Sequence, residues 1–160
     1  MIAQTKNLLR LTILDAALLT AACLIPAASH LFALPIYMLN PMLALLLAGI
    51  LLGRDWRNAL VLAMLLPAVS SLLTGMPAFP KMVCMMAELA TVATLFGWLG
   101  SRWRVWPAVM VAVVGGKVVY YALKAIVLAP AVLIDTNWMV QVLTILIWGG
   151  LFALLFRRRQ

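Results

Sequence analysis

Glu88 is the only glutamate in the chain, and it stands in an apolar run, Met85-Met86-Ala87-Glu88-Leu89-Ala90. A carboxylate in such a run is costly to bury, so it faces a protein interior or a wet cavity and has a partner. Two later runs supply candidates. Lys117, Tyr121 and Lys124 are spaced i, i+4 and i+7, which places them on one helical face. Asn137, Gln141, Thr144 and Trp148 repeat that spacing as a polar-aromatic stripe, with Trp138 beside it. A carboxylate, ammoniums, amides and aromatic rings can bind and orient a small polar solute. Two readings of them stand. A Glu88–Lys124 or Glu88–Lys117 bridge would only fix helix packing. A polar cavity built from the same groups would hold a guest. One carboxylate cannot neutralise two lysines, and the surplus cation suggests a guest bearing a carboxylate or another anionic group. Tyr121, Trp138 and Trp148 could stack on a ring. His30, the only histidine, stands at a helix end and is a candidate rim contact. Asp15, near the other membrane face, reads as structural.

The same inventory argues against catalysis. One His and two well-separated cysteines, Cys23 and Cys84, make no metal site. No pair of carboxylates is placed for acid–base work, and no Ser–His–Asp set is present. Gly115-Gly116-Lys117 lacks the upstream glycine and the following Ser or Thr of a phosphate-binding loop. The chain is expected to be a non-enzyme without a cofactor.

The elements that position these groups follow from composition. The chain has 160 residues, 67% of them hydrophobic and 10% charged, where a soluble domain is nearer half and a quarter. The solvent is therefore a bilayer. The expected fold is all-α, a single six-helix membrane domain over 1–160. A hydrocarbon core of about 30 Å needs about 20 helical residues. The expected spans are 11–28, 37–53, 58–73, 82–99, 105–129 and 138–156. Entry of the fourth span at Met82 puts Glu88 about 9 Å deep; exit of the fifth near Ala129 puts Lys124 about 7–8 Å and Lys117 about 18 Å deep. Thr74, Gly75, Pro77 and Pro80 mark the connection that precedes Glu88. The run after Lys6 and Arg10 is read as a retained span, not a cleaved leader.

The net charge of +8 would suggest nucleic acid in a soluble protein. Here Lys6, Arg10, Arg54, Arg57, Arg102, Arg104, Arg157, Arg158 and Arg159 all fall on one side of the six spans, and of the other basic residues only Lys81 falls outside a span on the opposite side. That bias places both termini in the cytoplasm, with the protein multi-pass in the inner (cytoplasmic) membrane, in contact with lipid and not with nucleic acid. Small residues at four-residue spacing, among them Ala17 and Ala21, Gly49 and Gly53, and Ala59 and Ala63, allow close helix approach.

Several segments, taken in order, resemble the substrate-binding S component of an energy-coupling factor (ECF) vitamin transporter. They are Ala16-Ala17-Leu18-Leu19-Thr20-Ala21, Leu47-Ala48-Gly49 with Gly53, Pro67 to Ser71, Thr74-Gly75-Met76-Pro77 with Pro80, Glu88-Leu89-Ala90, and Gly116-Lys117-Val118-Val119-Tyr120. Lys117 stands where that family would more readily carry Arg. The resemblance implies a six-helix protein that binds a water-soluble vitamin or cofactor precursor in its outer half, under outer loops. It implies docking through small residues of the first span, here Ala17 and Ala21, onto a membrane coupling subunit carried by two ATPase subunits. A pantothenate-like acid fits the surplus lysine. The competing reading is a structural subunit of a cell-shape or cell-wall complex, its charges used only for packing.

Overall fold

The computed structural model describes residues 2–31, 40–53, 55–128 and 138–157, and these are helical apart from short turns. The helices are α1 (Ile2–Leu31), α2 (Pro41–Gly53), α3 (Trp56–Thr74), α4 (Phe79–Gly100), α5 (Val105–Leu128) and α6. The last comprises Trp138–Thr144, a π-helical turn Ile145–Gly149, and Gly150–Arg157. Five of the six are long and apolar enough to cross a membrane: α1 within Leu8–Pro26, α3, α4, α5 within Val105–Val127, and α6 within Trp138–Phe156. The sixth, α2, has 13 residues. At 1.5 Å per residue it is about 20 Å long, short of the hydrocarbon core. The expected second span began at Tyr37. Instead α2 starts at Pro41, because Asn40 takes a left-handed backbone (φ 47°) that asparagine tolerates and Pro41 is suited to the first helical position.

Local chemistry sets the other ends. Asp55 caps α3, its Oδ1 accepting from Arg57 N–H at 2.9 Å. Gly75 closes α3 in the left-handed region (φ 72°), its N–H donating to Ser71 O at 2.9 Å. The turn that follows is tied down by hydroxyls. Ser70 Oγ donates to Met76 O and Ser71 Oγ to Pro77 O, both at 2.8 Å. Pro80 lies in the first turn of α4, where its missing N–H costs nothing. This lets α4 begin at Phe79, three residues before the expected Met82.

The core is apolar: Leu43, Leu46 and Leu47 of α2 are fully buried in it, together with Leu62 and Leu66 of α3, Leu89 and Val92 of α4, and Val109 and Val113 of α5. The most extensive interface joins α4 and α5. Small residues make these approaches close. A Cβ added at Gly49 would stand 2.8 Å from Leu62 Cδ1, and one at Gly116 would stand 2.5 Å from Val92 Cγ2. In contrast, only 11% of the α1 membrane segment is buried, so α1 lies on the outside, held through Leu18 and Ala22.

Contacts sort the bundle into two halves. At the basic end, Arg10 donates to Leu52 O at 3.4 Å, Gly97 packs on the Trp56 ring, and Phe96 meets Phe156 with ring centroids 5.3 Å apart. Glu88, Lys117, Tyr121, Lys124, Trp138 and Gln141 collect at the opposite end.

Candidate functional site

Glu88 is 1% exposed, on the face of α4 that packs on α2 and α5. Its Oε1 accepts two donors. Lys117 Nζ forms an ion pair with it at 3.0 Å, and Asn40 Nδ2 donates to it at 2.8 Å. Lys117 Nζ also donates to Gln141 Oε1 at 3.5 Å. Four helices thus meet through one cluster: the cap of α2, then α4, α5 and α6. Glu88 Oε2 is buried and has no hydrogen-bond partner among the described residues.

Backbone placement explains why Lys117, and not Lys124, takes the carboxylate. With α4 starting at Phe79, Glu88 lies about 14 Å along the helix axis from that end. Lys117 lies about 16 Å from the end of α5 at Leu128, and Lys124 about 6 Å from it. Glu88 and Lys117 therefore share a level. Gly116 completes the match. A Cβ there would come within 3.0 Å of the Glu88 backbone oxygen, so glycine lets α5 approach α4 at the acid.

Above the pair lies an aromatic group. Tyr120 has its ring centroid 5.6 Å from Lys117 Nζ. Tyr121 meets Tyr120 edge-on at 5.2 Å and packs against Trp138 at 4.8 Å. Lys124 Nζ stands 5.7 Å from the Tyr121 centroid, and Trp138 is half exposed. Cation–ring contacts at such distances contribute about 0.5–1 kcal/mol at exposed sites and more when desolvated.

Of the expected site residues, Glu88, Lys117 and Gln141 come together in direct contact, while Tyr121, Trp138 and Lys124 form the layer beyond them. Asn137 and the side chain of His30 lie outside the described residues. Along α6 the described members of the expected stripe, Gln141, Thr144 and Trp148, all face the bundle. The Thr144 hydroxyl donates to Val140 O at 2.8 Å within its own helix, and Trp148 packs on the core beside Phe152. The π-helical turn after Thr144 shifts the register there. Among the expected docking residues, Ala17 is exposed and Ala21 half-buried on α1. Asp15 accepts from Asn58 Nδ2 at 2.9 Å, a link between α1 and α3 that agrees with its structural reading.

Asn40 is the member that sequence reasoning missed. The expected second span, 37–53, encloses it, and an amide near a span end carries no distinctive signal. The signal was Asn40-Pro41 ahead of an apolar run, an N-cap followed by a first-position proline. A separate groove of about 380 Å³ lies between α5 and α6, lined by Trp106, Met110, Gly150, Ala153 and Leu154. It offers no polar side chain, and it sits toward the basic end, away from Glu88. Among the described residues no group of His, Cys, Asp and Glu could hold a metal ion.

Comparison with protein-family models, with curated proteins and with solved structures returns no match.

Proposed function

We propose that the chain is a membrane-embedded solute-binding protein, the substrate-specificity component of an ECF-type importer in the cytoplasmic membrane, with both termini in the cytoplasm. The observation that carries the reading is the convergence of Asn40, Glu88, Lys117 and Gln141 from separate helices at one buried level, beside the Tyr121–Trp138 ring pair. Buried polar clusters in membrane spans most often mark substrate or ion pathways. The ordered segments that resemble that family support the finer statement, as does a first helix with an exposed, small-residue side at Ala16, Ala17 and Thr20. In this reading the protein binds and delivers a vitamin or cofactor precursor and performs no chemistry on it. Energy comes from a coupling subunit and two ATPase subunits that bind elsewhere on the protein.

The test is binding without nucleotide. Purified protein screened against water-soluble vitamins by thermal unfolding should gain stability with one of them, about 2.7 kcal/mol at 100 times the dissociation constant. A coupling subunit and ATPases should co-purify from the native membrane.

A second reading has its own observation. Glu88 Oε1 is already engaged by Lys117 and Asn40, as it would be in a structural subunit whose charges only lock helices. Absence of any binder to folded protein, with cell-wall proteins co-purifying, would favour it.

A further inference from the structure

We infer that the guest of this site is a neutral molecule presenting an amide-type N–H to Glu88 Oε2, not the carboxylate-bearing solute that the lysine count suggests. The inference rests on the solute-binding reading above and specifies its chemistry.

The two oxygens of Glu88 are inequivalent. Oε1 accepts from Lys117 and Asn40, whereas Oε2 is buried with no donor among the described residues. An ionised carboxylate can only accept, so what Oε2 lacks is a donor. Leaving a buried acceptor unmet costs about 1–3 kcal/mol, and more for a charged group. A ligand that supplies an N–H there removes that cost as it binds.

Charge narrows the choice. The Lys117 ammonium is 3.0 Å from Oε1, so acid and amine cancel. A guest carboxylate would bring a second negative charge beside Glu88 without an N–H to offer. A guest ammonium could donate to Oε2, but it would stand against Lys117. A neutral donor meets neither repulsion. Lys117 has three N–H groups, and Glu88 and Gln141 account for two of them. The third can donate to a carbonyl. An amide, lactam or ureido group carries N–H and C=O side by side, which matches an acceptor next to a donor. Because Glu88 is 1% exposed, side chains must part before the guest reaches it. Association is then expected to be slower than diffusional encounter, because a conformational change must accompany it.

The experiment uses the full chain in lipid nanodiscs and two sets of probes, measured by thermal shift and calorimetry. Riboflavin, lumazine, nicotinamide, panthenol and biotin methyl ester are uncharged N–H donors. Nicotinate and lipoate carry a carboxylate and no amide N–H, whereas pantothenate and biotin carry a carboxylate in addition to amide or ureido N–H groups and so test charge alone. Binders are expected in the first set, each at least tenfold tighter than its acid counterpart where one exists. In Glu88→Gln the same binder should weaken roughly 10- to 100-fold, the worth of a hydrogen bond to a charged group. Should Glu88→Gln unfold, the charge-neutral double variant Glu88→Gln/Lys117→Met takes its place. Binders confined to the carboxylate set would overturn the inference while leaving solute binding intact. So would a neutral binder indifferent to Glu88→Gln, which would mean that Oε2 takes only a water. No binder in either set, with folded protein, would overturn the solute-binding reading and the inference with it.

Discussion

Among the described residues Glu88 receives two donors, both on one oxygen, and one of them, Lys117, is itself 5% exposed. Neither charge of this pair has water to fall back on. Removing one member therefore leaves the other buried and uncompensated, which costs about 3–5 kcal/mol. Lys117→Met is expected to destabilise the protein by that amount in thermal or denaturant unfolding in detergent. The double variant Glu88→Gln/Lys117→Met, with no charge left to bury, should recover most of the loss. Equal melting temperatures for wild type and Lys117→Met would show that the two groups are not coupled. Asn40→Ala should cost less, about 1–3 kcal/mol, because Oε1 keeps its ion pair.

The helices meet at the acid because α5 carries glycine there. A methyl group at Gly116 would press on Val92 Cγ2 at 2.5 Å and on the Glu88 backbone oxygen at 3.0 Å. Val92 can shift only within a packed core, and the carbonyl cannot turn without leaving its helix. Gly116→Ala is expected to lower stability by about 1–3 kcal/mol through overpacking. Gly150→Ala is the control. Nothing lies within 4 Å of its added Cβ, so alanine's better helix propensity should raise stability by about 0.5–1 kcal/mol. Unfolding midpoints of the two variants should move in opposite directions.

The elements were largely legible in the sequence, because apolar runs of span length and prolines at their ends have few other solutions. The fourth and fifth helices lie within three residues of expectation at each end. The choice between Lys117 and Lys124 was not legible. It turned on α4 starting at Phe79 with Pro80 in its first turn, a shift of less than one turn that moves Glu88 by about 4–5 Å. Asn40 escaped notice because a cap and a mid-span amide look alike until the helix start is fixed. The π-helical turn of α6 carries no periodic signature, and the regular spacing through Trp148 concealed it.

At the scale of the whole molecule, the basic residues divide the bundle. Arg10, Arg57, Arg102 and Arg104 lie at the end away from Glu88, with exposed Trp56, Trp103 and Trp106 beside them. The expected topology places that end in the cytoplasm. Single cysteines introduced at Ser101 and Ala78, in a background without Cys23 and Cys84, should report it. In intact cells a membrane-impermeant maleimide should label Ala78→Cys and spare Ser101→Cys. The reverse pattern would invert the bundle and place the Glu88 cluster toward the cytoplasm.

The brevity of α2 is hidden from the surrounding lipid. Its 13 residues stop well short of the full hydrocarbon depth, and its capping Asn40 is already a buried polar group. No residue of α2 is exposed, so its neighbours in the bundle, and not acyl chains, surround it. Lipid meets the five helices of full span length instead, so melting temperatures in thin and in thick bilayers should differ little, and bilayer thickness should leave the level at which Asn40 holds Glu88 undisturbed.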